Sequence, residues 1–232
     1  GARFIELKTV QTLDEIEVSK PCIDMQDEGY NCEWSQELKV DQSFDEYVRA
    51  WVLIHALHRK LGLPGRRRGM IFNVSVGYNM EGILKPNMQG YLRRVADAGD
   101  LLKQHIATVA KYVPGIDDGS IPARLSDNVT LSTMHGCPPD EIEKISAYLI
   151  TEWGFHTNVK LNPTLLGPET LRRILNEDLG FREVHVPAEA FGHDLKYADA
   201  VPMLRRLQDV AKKKGVCFGV KLSNTLEVAP IP

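Results

Sequence analysis

Cys137 stands in Leu131-Ser-Thr-Met-His-Gly-Cys-Pro-Pro139, between an apolar run with strand character and a segment with helical periodicity. A thiol at such a junction lies near the first unpaired amides of the helix, and these favour thiolate. His135, two residues earlier, is placed to assist. Asp140, Glu141 and Glu143 bring negative charge into the same turn and oppose ionisation. The balance predicts a thiol that exchanges a proton near neutral pH, which suits general acid–base work. Cys137 and His135 are therefore the candidate catalytic residues, although a small residue filling a tight loop would also explain the position.

Other apolar runs end in the same polar way. One closes on Lys8-Thr9, one carries Asn73, Ser75 and Asn79, one closes on Lys160-Leu-Asn162-Pro-Thr164, and one on Lys221-Leu-Ser223-Asn224-Thr225. Buried lysine and amide groups cost several kcal/mol unless partnered. Five such strand ends, that of Cys137 included, point to a polar pocket for a planar, hydrogen-bonding ligand. Val159-Lys-Leu-Asn-Pro-Thr164 and Val220-Lys-Leu-Ser-Asn-Thr225 are near-duplicates. Lysine in an apolar strand would point into a barrel or at its rim, towards an electron-rich ligand atom or an internal carboxylate such as Glu6.

The elements that must position these residues alternate. Strand candidates are Phe4–Thr9, Met70–Val76, Val129–Thr133, Asn158–Asn162, Glu183–Pro187 and Cys217–Ser223, with helices between them. Ser43-Phe-Asp-Glu46 has the form of a capping box, with Tyr47, Trp51 and Ile54 on one face and a stop at Gly62. Pro138 and Pro139 suit a first turn, after which Ile142, Ile145 and Leu149 recur at helical spacing up to Gly154. A third helix runs from about Ala198, takes Pro202 in its first turn, and finishes Lys212-Lys-Lys-Gly215, as the helix dipole and C-cap prefer. Repeated βα units imply an α/β fold with a parallel sheet, either doubly wound or most of a (β/α)8 barrel, and both place chemistry at the carboxyl ends of strands. By that rule the Arg66–Arg68 cluster, which precedes a strand, is a solvated patch.

The composition, 43% hydrophobic and 25% charged with net charge −3, is that of a globular protein with no field for nucleic acid or anionic lipid. No apolar run approaches the roughly 18 residues a membrane span needs. Cys22, Cys32, Cys137 and Cys217 form no CxxC pair and no His-matched spacing, so neither a disulfide framework nor a metal site is expected, and a cytoplasmic setting is. Cys217 should open a buried strand, His55 and His58 should be helix fillers, and the long segment Val10–Gln42 should cover the catalytic face as a lid. Neither a dinucleotide fingerprint nor a P-loop is present. The start at Gly1 and the stop at Pro232 suggest one partial barrel domain, residues 1–232, excerpted from a longer multidomain protein.

"FIELKTVQ", "FNVSVGYNMEGI", "VTLSTMHGCPPDEIE", "VKLNPTLLG" and "FGVKLSNT" together resemble the selenate-reductase-like flavoprotein oxidoreductases. Their barrel is similar to that of dihydroorotate and dihydropyrimidine dehydrogenases. The resemblance implies an incomplete FMN-type barrel that passes hydride between flavin and a nitrogen heterocycle of purine or pyrimidine type. It implies Lys8 and Thr9 against the flavin ring, Lys160 or Lys221 against its pyrimidine edge, and Asn224 and Thr225 bordering flavin and substrate, with Asn73 and Asn162 as further cofactor contacts. Cys137 would be the proton donor or acceptor, although its spacing departs from the "S-C-P-N" of the dehydrogenases. FMN binding to this stretch alone is expected to be weak or absent, because the glycine-rich phosphate loops of such barrels follow later strands. FAD, NADPH and iron–sulfur clusters are expected only in the longer parent, in electron-transfer domains or a subunit. Two other readings remain open: a class I aldolase-like lyase with Lys160 or Lys221 as Schiff-base nucleophile, and a non-catalytic barrel that docks an electron-transfer partner.

Overall fold

The computed structural model describes residues 3–7, 23–26, 29–32, 39–62, 70–77, 79–133, 137–222, 226 and 228–229. Lys8, Thr9, Cys22, Arg66–Arg68, His135, Asn224 and Thr225 lie outside them. The chain divides into two compact units, Gly1–Val76 with Glu81–Asn128, and Gly77–Met80 with Val129–Pro232.

In the first unit β1 (Phe4–Glu6) is followed by an antiparallel hairpin, β2 (Ile23–Gln26) and β3 (Gly29–Cys32), inside the long segment read as a lid. Then come α1 (Val40–Lys60), β4 (Ile71–Val76), α2 (Met80–Ile83), α3 (Pro86–Ala96) and α4 (Gly99–Ala110). β1 pairs parallel with β4, Glu6 opposite Asn73. β4 is buried on both faces from Phe72 to Val76, as a parallel strand covered on each side should be. α1 begins earlier than the Ser43 capping box predicts. The Gln42 side chain accepts from the Lys39 amide at 2.9 Å, and Ser43 is buried inside the helix. The buried stripe accordingly runs Val40, Phe44, Val48, Trp51, Val52 and His55, rotated from the expected face, on which only Trp51 is buried. Trp51 packs edge-on against Phe72 at 5.0 Å and donates from Nε1 to the Pro122 carbonyl. His55 fills the core against Trp51, with ring centres 4.4 Å apart.

The second unit holds most of β5 (Asn128–Leu131), then α5 (Pro139–Thr151), β6 (His156–Lys160), α6 (Pro168–Arg172) running into a π-helical turn over Arg173–Asp178, α7 (Ala188–His193), α8 (Tyr197–Lys214) and β7 (Phe218–Lys221). β6 lies between β5 and β7 and is parallel to β7. α5 starts on Pro138 and Pro139 as expected, buries Ile142, Ile145 and Leu149, and ends before Gly154, whose φ of 66° suits glycine. α8 ends on the lysine triplet and left-handed Gly215. It begins at Tyr197, so Pro202 falls in its second turn.

Two expectations fail. Glu183–Pro187 is not a strand: its Val184 amide bonds back to Phe181, and the Val184, His185 and Val186 carbonyls accept from Asn176, the Ala229 amide and Arg172. Val186 is buried instead in a small cluster with Leu171 and Phe191. Cys217 is exposed, because β7 begins one residue later and the Cys217 amide bonds His156 Nδ1 at 2.8 Å.

α5 and α8 pack on each other and on β6 and β7. Apolar burial dominates this layer, since Leu149 is fully buried whereas the bidentate Arg206–Glu143 pair, 2.7 Å in each arm, is solvent-exposed on the arginine side. Arg206 holds the Glu143 carboxyl below its ordinary pKa. Whatever that pair adds is present above the ordinary glutamate value and fades as pH falls through the lowered one. Urea denaturation at neutral pH should show Leu149→Ala losing about 3 kcal/mol, and Arg206→Ala shifting the midpoint far less.

Candidate active site

β6 is two-faced. Thr157, Val159 and Leu161 are buried, whereas His156, Asn158, Lys160 and Asn162 alternate with them and are half-buried. α5 packs on β6, and at the carboxyl end of the strand Lys160, Leu161 and Asn162 all reach one pocket with Ile142 of α5. The register with β7 sets Val159 opposite Val220 and Lys160 opposite Lys221. The two Val-Lys-Leu repeats thus lie side by side, and their lysines share a face at one level. Like charges so placed repel, so a neighbouring carboxylate is physically useful. One step back along the strands, Gly219 faces Asn158. A Cβ there would come within 2.5 Å of Asn158 Oδ1, so the glycine leaves room for the amide.

Beyond β6 the chain turns through Pro163–Leu166 as a single 3-10 turn. Thr164 is buried in it, and its hydroxyl donates to Asp194 Oδ2 at 2.6 Å. Asp194 follows α7 and is itself only 7% exposed. These loops close an open-mouthed pocket with Thr133, Cys137, Lys160, Asn162 and Asp194 as polar lining and Ile142, Leu165 and Leu195 as apolar wall. Its volume to the mouth is about 320 Å³.

Three residues singled out from the sequence, Cys137, Lys160 and Asn162, therefore come together. Lys221 stands beside Lys160 on the neighbouring strand. Asn73 lies in the middle of β4, buried in the first unit, and not at a strand end. Thr133 belongs to the polar strand end that leads to Cys137, whereas Asp194 escaped sequence reasoning. Asp194 sits in Gly-His-Asp-Leu with no periodic signal, and only its bond to Thr164, 30 residues earlier, reveals it. Among the described residues no group of three or more His, Cys, Asp or Glu side chains is placed to hold a metal, and no helix is long and apolar enough to cross a membrane.

Cys137 corrects the expectation of a thiol poised near neutrality. Burial first, then Glu141 and Asp140, push its pKa above the ordinary thiol value, and a hydrogen bond with Thr133 offsets only part of this. Glu141 also accepts from the Met80 amide at 2.6 Å, which fixes it at the helix start. Carboxylates and desolvation outweigh the helix terminus, so Cys137 is protonated at neutral pH. A thiol in this state donates a proton; it is not a standing nucleophile. Iodoacetamide labelling followed on the Cys137 peptide should be slow at neutral pH and still accelerating above pH 9, and Glu141→Gln should speed it by lowering the thiol pKa. A plateau near neutrality would contradict this.

A family model described as "Oxidoreductase YgfK, N-terminal TIM-barrel domain" matches residues 1–230. Two curated relatives, from Escherichia coli strain K12 and Escherichia coli O157:H7, each carry the name "Putative oxidoreductase YgfK" and are 45% identical over 245 residues. Each alignment covers 97% of this chain and 24% of the relative, so the chain spans about a quarter of their length. No solved structure matches.

Proposed function

Because the chain belongs to the oxidoreductase YgfK N-terminal TIM-barrel domain family, we propose that its second unit carries the substrate pocket of a flavin-dependent oxidoreductase acting on a nitrogen heterocycle. The observation that carries this reading is the shared pocket: a protonated thiol, a lysine and an amide at adjacent strand ends open on one hollow. The donor set fits the polar edge of a flavin or of a substrate ring, which offers carbonyl oxygens and ring nitrogens to Lys160 and Asn162.

Lys160, with Lys221 beside it, would hold the electron-rich edge of a flavin, and Asn162 would fix its orientation. A bound flavin would supply hydride chemistry, which no side chain of this chain provides. Cys137 holds the proton that a substrate ring takes up on reduction, and Thr133 keeps the thiol aimed by hydrogen bonding. Ile142, Leu165 and Leu195 exclude water from one wall, which strengthens each polar contact inside. FMN in this barrel, with FAD, NADPH and iron–sulfur clusters in the rest of a longer protein, completes the proposed route for electrons. The overall activity and its partners belong to that longer protein.

The full-length protein, purified anaerobically, should absorb between roughly 350 and 480 nm and should reduce at least one oxidised purine or pyrimidine with NADPH. Cys137→Ala should retain that absorption while turnover falls by about 10² or more. Absence of the absorption, or borohydride trapping of a carbonyl substrate on Lys160 or Lys221, would overturn the reading.

A further inference from the structure

We propose that Glu141 is the positioning residue of this pocket: by accepting from the Met80 amide it locks the first turn of α5, and with it the Cys137 thiol, to the Gly77–Met80 stretch of the same unit. The proposal rests on the reading of Cys137 as proton donor and deepens it by naming what holds the donor in place.

Proline decides where the Glu141 carboxylate goes. Pro138 is the N-cap residue of α5, and Glu141 is the third residue of the helix. A glutamate at that position ordinarily reaches back to the amide of the N-cap residue. Proline has no such amide, so the local bond cannot form. The carboxylate goes instead to the Met80 amide, 61 residues earlier in the chain, at 2.6 Å. Met80 opens α2, and its amide is one of those that a helix cannot satisfy from within. A carboxylate on an amide makes a charge-assisted bond, and this one is partly shielded from water.

The same prolines carry the restraint to the thiol. Pro138 and Pro139 each hold φ at about −65°, and Pro138 biases Cys137 towards extended backbone. Little slack therefore separates Glu141 from Cys137. Ile142, next to Glu141, lines the pocket with Cys137, so one anchored turn places both the thiol and part of the apolar wall. Charge works in the same direction. Asp140 and Glu141 of α5 act on the thiol, and Lys160 of β6 and Asp194 beyond α7 share its pocket. Of the two α5 carboxylates Glu141 raises the thiol pKa more, whereas Asp140 is exposed. The anchored carboxylate is thus also the one that keeps the proton on sulfur.

Substitutions in the full-length protein separate anchor from charge, read by iodoacetamide labelling of the Cys137 peptide against pH and by hydrogen exchange of the peptide carrying the Met80 amide. Glu141→Ala removes both: Met80 should exchange about tenfold to hundredfold faster, the range of a hydrogen bond to a charged group. Its labelling should move to lower pH and stay faster than wild type where the thiol is fully ionised, because the half-buried sulfur is released. Glu141→Gln removes the charge and keeps an acceptor, so labelling should move to lower pH while much of the Met80 protection survives. Asp140→Asn should move labelling less and leave Met80 unchanged. Reduction of a purine or pyrimidine by the wild-type protein with NADPH should fall about tenfold or more in Glu141→Ala, from misplacement of the thiol. Met80 exchange and Cys137 labelling unaffected by Glu141→Ala would overturn the role of Glu141. Should that variant fail to fold, equal labelling shifts in Glu141→Gln and Asp140→Asn would overturn it instead. If the wild-type protein reduces no such ring, the heterocycle reading fails, and labelling and exchange still decide the role of Glu141.

Discussion

The alternation along β6 is the constraint on which the site depends. A strand can bury only every second side chain against the helix layer, and Thr157 and Val159 occupy those places in β6. Asn158 and Lys160 take the alternate places, and just past the strand Asn162 joins Lys160 in lining the pocket. A slip of one residue would drive Lys160 into the helix interface and expose Val159, at a cost of several kcal/mol from the buried ammonium alone. The in-register pairing with β7 doubles the effect, because it puts Lys221 at the same level as Lys160. Packing on one face fixes the polar geometry of the other.

Electrostatics then divides the labour within the pocket. Lys160 supplies a donor, Asp194 is held by the Thr164 hydroxyl, and the first turn of α5 sets the thiol. The pull of that turn towards thiolate is opposed by its own carboxylates and by burial, and the opposition wins. The pocket therefore sets a thiol that keeps its proton together with Lys160, Asn162 and Asp194, at the carboxyl ends of β5 and β6 and in the loops beyond them. An α/β barrel places its chemistry at that end of its strands.

Much of the scaffold was legible in the sequence, for identifiable reasons. The Pro138-Pro139 start, the Ile142, Ile145, Leu149 stripe and the Lys212–Lys214 and Gly215 finish are local signals, and the helices formed where those signals stand. The βα order followed from the same alternation, which left a doubly wound sheet and a barrel open; the barrel came from the family resemblance, and the matched family is a barrel family. Failures came where a local pattern met a competing hydrogen bond. Glu183–Pro187 has strand composition, but the Val184, His185 and Val186 carbonyls go to Asn176, Ala229 and Arg172. Ser43 has capping chemistry, but Gln42 caps the helix one turn earlier and Ser43 is buried. Asp194 carries no pattern, and its placement beside Lys160 is a product of tertiary structure alone. Lys160 and Asn162 were found because their signal is local: polar residues that close an apolar strand.

The most direct test of the account is crystallographic. Crystals of the full-length protein soaked anaerobically with uracil or xanthine should show the ring in the pocket of the second unit, with Cys137 Sγ against it. A ring bound elsewhere, or Cys137 and Lys160 opening on separate cavities, would contradict the account.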